Sequence, residues 1–235
     1  MAQERTAKRL QVDLIHLQLK MGESKKQWVN PRTNKMVLVE DAVLGHYELK
    51  GWRGYSKEGG LLLNLIKSMS FKEIPLRNRS TYIEALYAQN VAFDEDRFEH
   101  SELLGNVRNA TPLQIKKNFQ VMASSEPYTW GDSFFQSTSS TSMLDFFPDL
   151  KEWMFLEFFE CFGIDKIYRI AEIFSEDPYE YRKGWPDLTI WKDNKVRFLE
   201  VKGPGDSMHK SQKIILDKFI KPLGLEFSLV DVQAS

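Results

Sequence analysis

The segment GWPDLTIWKDNKVRFLEVKG, residues 184–203, places Asp187 thirteen residues before Glu200, with Lys202 two positions further on. Side chains alternate along an extended chain, so Glu200 and Lys202 project to one face of FLEVK and Val201 to the other. KDNK reads as a polar turn. If the strands on either side pair antiparallel, Asp187 lies opposite the end of the second strand, and two carboxylates meet a lysine in one small volume. Such carboxylates repel unless a cation lies between them or one is protonated. Oxygen ligands suit a hard cation, Mg²⁺ or Mn²⁺, and the Val201 carbonyl offers a neutral oxygen on the same strand. An ion held there would polarise a phosphoryl oxygen and acidify a bound water, with Lys202 stabilising developing negative charge. Taken alone, these three residues read first as a surface network in which both acids pair with Lys202, since surface charges on hairpins are common. Pro186, which fixes the chain just before the acid, and GPG after the lysine, which ends the strand abruptly, favour a built site.

The string Gly184, Pro186, Asp187, then Glu200, Val201, Lys202, Gly203, Pro204, Asp206 and Gln212 resembles the VRR-NUC (virus-type replication-repair nuclease) pattern within the PD-(D/E)xK nuclease superfamily. Upstream, VEDAVLGHYELKGWRGYSKEGGLLLNLI is similar to the start of the nuclease domain of Fanconi-anaemia-associated nucleases. The resemblance implies a restriction-endonuclease-like α/β fold, a mixed sheet flanked by helices, with a large helical insertion between the first acid and the Pro-Asp. It also implies a divalent-metal-dependent DNA nuclease, with flap or branched DNA in repair or replication as the expected substrate. On this match Glu58 joins Asp187, Glu200 and the Val201 carbonyl as a metal ligand; Glu58 alone would read as a helix-start acid favoured by the dipole. Alternative readings are a nuclease toxin working with an immunity or accessory protein, a Holliday-junction resolvase, and a non-catalytic DNA-binding scaffold.

Gln212, on the helix expected after the hairpin, could hydrogen-bond the attacking water or a site carboxylate. Lys210, Lys213, Arg53, Lys57 and His209 are candidate phosphate contacts, which position DNA without reading sequence. His46 also flanks a site element. Trp185 and Trp191 read as packing residues.

These groups need elements to hold them. Residues 3–20 read as a helix with a basic start, and KQWVNPRTNKMVLV as two short strands around an Asn-Pro turn. Residues 1–38 together read as an appendage to a nuclease domain at 39–235. Val39, Val43, Leu44 and Tyr47 have helical spacing, and a second helix is expected from near Glu58. Residues 72–147 read as mixed helix and loop, with SSEPYTWGDSFFQSTSSTS turn-rich and exposed. Helices resume at PDLKEWMFLEFFECFG and DKIYRIAEIF. After the strands at 187–191 and 196–202, a helix buries Ile214, Ile215, Leu216, Phe219 and Ile220, and EFSLVDV closes as a strand.

The composition sets outer limits. The 235 residues suit one domain with room for a large core, and 16 Phe, 8 Tyr and 6 Trp supply bulk to fill it. The single Cys161 excludes a disulfide framework and reads as a small buried hydrophobe in a reducing compartment. The polar start is unlike a signal peptide and no apolar run reaches membrane-spanning length, so an intracellular location, cytoplasmic or nuclear, is expected. Net charge is −1, but eight basic side chains lie within residues 1–35 and eight within 192–221, while 84–102 carry six acids. This asymmetry could set basic ends against a phosphate backbone.

Overall fold

A computed structural model describes residues 2–24, 26–88, 98–131 and 136–235. The chain divides into two compact units. One joins residues 1–59 to 183–235; the other, residues 60–182, is inserted between those two segments.

The first unit is built on a mixed five-stranded sheet. The expected helix over 3–20 is a shorter helix, α1 (Ala2–Leu10), followed by strand β1 (Asp13–Leu19). Gln11, at φ 54°, breaks the helix. Beyond it Ile15, Leu17 and Leu19 recur every second residue and join one core cluster, the signature of a strand. Two short strands follow, β2 (Trp28–Val29) and β3 (Met36–Val37), paired antiparallel around the Asn-Pro turn. Then come α2 (Val39–Leu49) and β4 (Arg53–Tyr55), the latter in a stretch that reads as a break in the sequence.

After the inserted unit the chain returns as β7 (Leu188–Lys192), β8 (Lys195–Lys202) and β9 (Phe227–Ala234). The sheet order is β1-β9-β8-β7-β4. β1, β9 and β8 are parallel, whereas β7 and β4 run antiparallel to their neighbours. The first segment of the chain is therefore an edge strand of the main sheet. Asp193 and Asn194 form the two-residue connection from β7 to β8, both at positive φ (48° and 60°), as a type I′ hairpin requires.

Leu188, Ile190, Leu199, Val201, Val230 and Val232 face one side of the sheet and pack with Ala42, Val43 and Tyr47 of α2. By strand alternation, Glu200 and Lys202 point the other way. There the chain forms α10 (Lys210–Ile215), continued by a π-helical turn at Leu216–Ile220. Phe219 from that turn lies with its ring 4.9 Å from that of Trp185. Ile215, Leu216, Phe219 and Ile220 are buried as expected, and Ile214 is half-buried.

The inserted unit is mainly helical. Its helices are α3 (Gly60–Met69), α4 (Ile83–Tyr87), α5 (His100–Arg108), α6 (Pro112–Ala123), α7 (Glu152–Phe162), α8 (Ile164–Glu176) and α9 (Pro178–Tyr181). The stretch read as exposed loop contains a small hairpin, β5 (Tyr128–Gly131) with β6 (Gln136–Ser139); four of its residues, 132–135, fall outside the described residues, as does part of the acidic run at 84–102. Buried Asn118 is fully engaged here. Asn118 donates to the carbonyls of Ser68 and Phe71, both at 2.7 Å, and accepts from Ile74 N–H at 2.9 Å. Cys161 forms no disulfide and is half-buried.

Candidate active site

Asp187 precedes β7, and the antiparallel register Leu188↔Leu199 carries it opposite Glu200. Its Oδ2 accepts the Val201 backbone N–H at 2.8 Å, a bond that fixes the carboxylate to the neighbouring strand. Glu200 is 1% exposed. Its Oε1 accepts from Lys202 Nζ and from Gln212 Nε2, each at 2.5 Å. Gln212 in turn accepts from the His209 backbone N–H at 2.8 Å, and Lys202 Nζ lies 3.4 Å from the same Gln212 oxygen. The amide of Gln212 is thus fixed at both ends, and it orients the glutamate and the lysine together.

Electrostatics follow from that geometry. Burial, and then the charge of Asp187, push the Glu200 carboxyl well above the usual carboxylate range, and Lys202 opposes this only in part. Burial also raises Asp187, while Val201 N–H and Lys202 pull it down. Of the two, Glu200 is the acid whose burial and neighbouring charge most favour the protonated form. Two acids in one desolvated volume resolve their repulsion by holding a proton, or by gaining a cation.

Glu58, implied by resemblance as a third ligand, is tied to the chain that leads into β7. It accepts a hydrogen bond from Gly184 N–H, three residues before Asp187. Gly184 has φ +88°, and a Cβ there would meet Ser211 and Gln212 backbone atoms at 2.3–2.6 Å. Glycine is therefore required for the chain to pass under the start of α10. Among the described residues no set of three His, Cys, Asp or Glu side chains gathers as a metal-binding group. The donors that do come together are the two carboxylates. Hard, anionic and mutually repelling, they match the chemistry of a hard divalent cation. It is the backbone N–H of Val201, rather than its carbonyl, that engages Asp187.

Two acids that the sequence reading does not assign a role in the site lie near the pair. Glu40, in the first turn of α2, is half-buried, and its carboxyl is raised first by burial, with the charges of Asp187 and Asp41 adding and Lys57 opposing. Asp206 lies close enough to Asp187 for its charge to raise that carboxyl. Glu40 stands in the VED string that resembles the family's opening, and Asp206 in its GPGD, so both carry a legible signal. Of the candidate phosphate contacts, His209, Lys210 and Arg53 are exposed, and Lys57 and Lys213 are half-buried. His209, Lys210 and Lys213 cluster around the start of α10, next to Gln212. Burial lowers the His46 pKa. Trp185 and Trp191 are core residues, 1% and 2% exposed.

A mixed sheet flanked by helices, with paired acids and a lysine on its central hairpin, is a restriction-endonuclease-like fold. Residues 136–234 match the model of the VRR-NUC domain. Its sequence is similar to the Fanconi-associated nuclease 1 homolog of Schizosaccharomyces pombe, 24% identical over 199 residues, a match covering 80% of this chain and 26% of the relative. The Caenorhabditis elegans homolog is 35% identical over 66 residues, covering 27% of this chain and 8% of that protein. Among solved structures, paFAN1 bound to DNA with a 2-nucleotide 5′ flap and a gap aligns with a TM-score of 0.63 at 19% identity, over 95% of this chain and 38% of that one. The complex with a 1-nucleotide flap gives 0.61 at 20% identity, with the same coverage. The chain therefore spans about a quarter of the length of the S. pombe relative and 38% of paFAN1. No helix among the described residues is long and apolar enough to cross a membrane.

Proposed function

We propose that the β7–β8 site hydrolyses DNA phosphodiester bonds with Mg²⁺ or Mn²⁺, acting on flap or branched DNA of the kind met in repair and replication. The observation that carries this is half-buried Asp187, pinned to Val201 N–H, set against buried Glu200 and the Lys202 ammonium. Flap DNA is the ligand in the solved paFAN1 complexes, and likeness to their fold supports it as the substrate class here.

Asp187 and Glu200 would hold the ion, with Glu58 the further ligand implied by resemblance, Glu40 and Asp206 acids within electrostatic reach of Asp187, and the Val201 carbonyl a neutral candidate. When bound, a divalent ion polarises a phosphoryl oxygen and lowers the pKa of a bound water. The chain's own groups do the rest. Val201 N–H keeps Asp187 in place, so no reorganisation is needed as charge develops. Lys202 supplies a fixed positive charge for the negative charge that accumulates on the phosphoryl oxygens. Gln212 keeps Glu200 and Lys202 in register with one another. His209, Lys210 and Lys213 at the start of α10, together with Arg53 and Lys57, would contact phosphates, so affinity should fall steeply with salt.

The test is cleavage of end-labelled 5′-flap, four-way-junction and plain duplex DNA with Mg²⁺, Mn²⁺ or EDTA. Metal-dependent cutting favouring the flap or junction is expected, with Asp187→Ala inactive but still binding DNA. Wild-type cleavage by that variant, or no cleavage of any substrate in either metal, would overturn the reading. Efficient cutting of plain duplex without preference would point instead to a non-selective nuclease.

A further inference from the structure

We infer that Gln3, on helix α1, is a positioning residue for the proposed catalytic centre, holding the turn that follows Lys202 through a hydrogen bond to the Asp206 carbonyl. The inference rests on the nuclease reading above and extends it to a part of the chain that carries none of the motif.

Helix α1 is polar, with a sequence, AQERTAKRL, that gives little reason to pack. Yet it buries Gln3, Ala7 and Leu10, positions i, i+4 and i+7 on one face. Ala7 and Leu10 are apolar and need no hydrogen-bonding partner for their side chains. Gln3 is 7% exposed and brings an amide with it, so that amide must find an acceptor. Its Nε2 donates to Asp206 O at 2.8 Å, spanning 203 residues of sequence.

The turn it reaches begins directly after Lys202. Residues Gly203, Pro204, Gly205 and Asp206 form a type II turn, with Asp206 N–H donating to Gly203 O at 3.2 Å and Gly205 at φ +93°. The Asp206 side chain turns back, its Oδ2 accepting from Gly203 N–H at 2.9 Å. One residue is thereby fixed at both its carbonyl and its carboxylate. Asp206 lies within electrostatic reach of Asp187, and the turn leads through residues 207 and 208 to His209, whose N–H anchors Gln212. A loosened turn therefore disturbs the backbone just after Lys202, the Asp206 charge that reaches Asp187 and the anchor of Gln212. Gln3 reaches these groups through the backbone of the turn, so its effect on catalysis is indirect.

Gln3→Met tests this, since it keeps the length and packing of the side chain but removes the donor. The measurements are amide hydrogen exchange at Gly203 and Asp206, DNA affinity by anisotropy, single-turnover cleavage and thermal melting. Exchange at those two amides should quicken about tenfold and the cleavage rate fall about fivefold to tenfold, with DNA Kd within about twofold and the melting temperature near wild type. Leu10→Ala serves as the packing control: it should lower the melting temperature and leave the cleavage rate of the folded protein unchanged. Wild-type exchange at Gly203 and Asp206 in Gln3→Met would sink the inference, and so would faster exchange with an unchanged cleavage rate. If Leu10→Ala slowed cleavage as much as Gln3→Met, general packing would explain the effect and the role assigned to Gln3 would fall. A wild-type protein that cuts nothing would defeat the nuclease reading, while the exchange data would still show whether Gln3 holds the turn.

Discussion

Gln212 donates its side-chain amide to Glu200 Oε1, the same oxygen that accepts from Lys202. An amide is fixed in this position only because the His209 backbone N–H occupies its other end. Truncating Gln212 leaves both carboxylates and the lysine in place but unties Glu200 from α10. Losing such a supporting group costs about 10- to 100-fold in activity or metal affinity. Gln212→Ala should therefore lower the cleavage rate by that factor with little change in DNA Kd, as measured by single-turnover kinetics alongside a binding titration. A loss confined to binding would assign Gln212 to DNA contact instead.

Glu200→Gln should abolish cleavage and, in metal-free buffer, make the protein more stable. The sign follows from burial. The folded Glu200 carboxyl titrates above its unfolded value, so its contribution to stability is complete below the ordinary glutamate range and is lost as pH rises. At neutral pH, folding must therefore either protonate the group or bury its charge beside Asp187. Glutamine keeps the shape and carries no charge. A gain of about 1 kcal/mol, worth about 2–4 °C in a chain of this size, is expected near neutral pH. It should shrink as the pH falls into the ordinary glutamate range. Calorimetry of both proteins in EDTA measures it, and a lower melting temperature for the variant across that range would contradict this sign.

How far the sequence alone reaches depends on how local each signal is. The β7–β8 hairpin is legible because alternation and a two-residue polar turn fix its register, and register alone sets Asp187 opposite Glu200. Gln212 is legible because it stands in the same short string. β1 is not, because the Lys/Arg/Gln-rich stretch before it reads as helix, and its partner β9 lies over 200 residues away. β4 escapes because its three residues, Arg53 to Tyr55, are too few to carry a period. The Gln3–Asp206 bond has no local signal at all, since a polar residue on a polar helix declares its burial only when the far end of the chain arrives. Charge asymmetry is visible, but it does not say which lysines gather at α10.

The inserted unit holds an ionisable group with a measurable pH signature. Lys67 is 1% exposed, and its Nζ donates to the carbonyls of Arg79 at 3.0 Å and Thr81 at 2.5 Å, two acceptors that suit the two N–H bonds of a free amine. Burial lowers its pKa to about 7, against the pull of Glu84. Between about pH 7 and 10 the unfolded chain binds the extra proton and the folded chain does not, so this residue makes stability rise with pH there, by up to about 1.4 kcal/mol per unit. Above about pH 10 the raised pKa of buried Tyr87 acts in the opposite direction. Lys67→Met should remove the rise. Urea titrations of both proteins at about pH 7, 8 and 9 test this, and parallel stability curves would mean that Lys67 stays charged in the fold.

Two glycines with nearly the same backbone angle should respond differently to alanine. Gly184 has φ +88° and Gly205 φ +93°, so both resist an L side chain. A methyl on Gly205 would meet nothing within 4 Å, whereas a methyl on Gly184 would strike the backbone of Ser211 and Gln212. Gly205→Ala therefore carries conformational strain alone, about 1 kcal/mol. Gly184→Ala adds a collision with backbone that cannot rotate away, for a total of at least about 2–3 kcal/mol. It also pushes α10 away from the sheet, so Gln212 loses Glu200 and the Gly184 N–H shifts from Glu58. The ratio of cleavage rates among folded molecules separates the two effects. Gly184→Ala should be slow even at a temperature where it is fully folded, and Gly205→Ala should be far less impaired. Equal stability losses, or full activity in folded Gly184→Ala, would mean that the tight passage beneath α10 does not set the site.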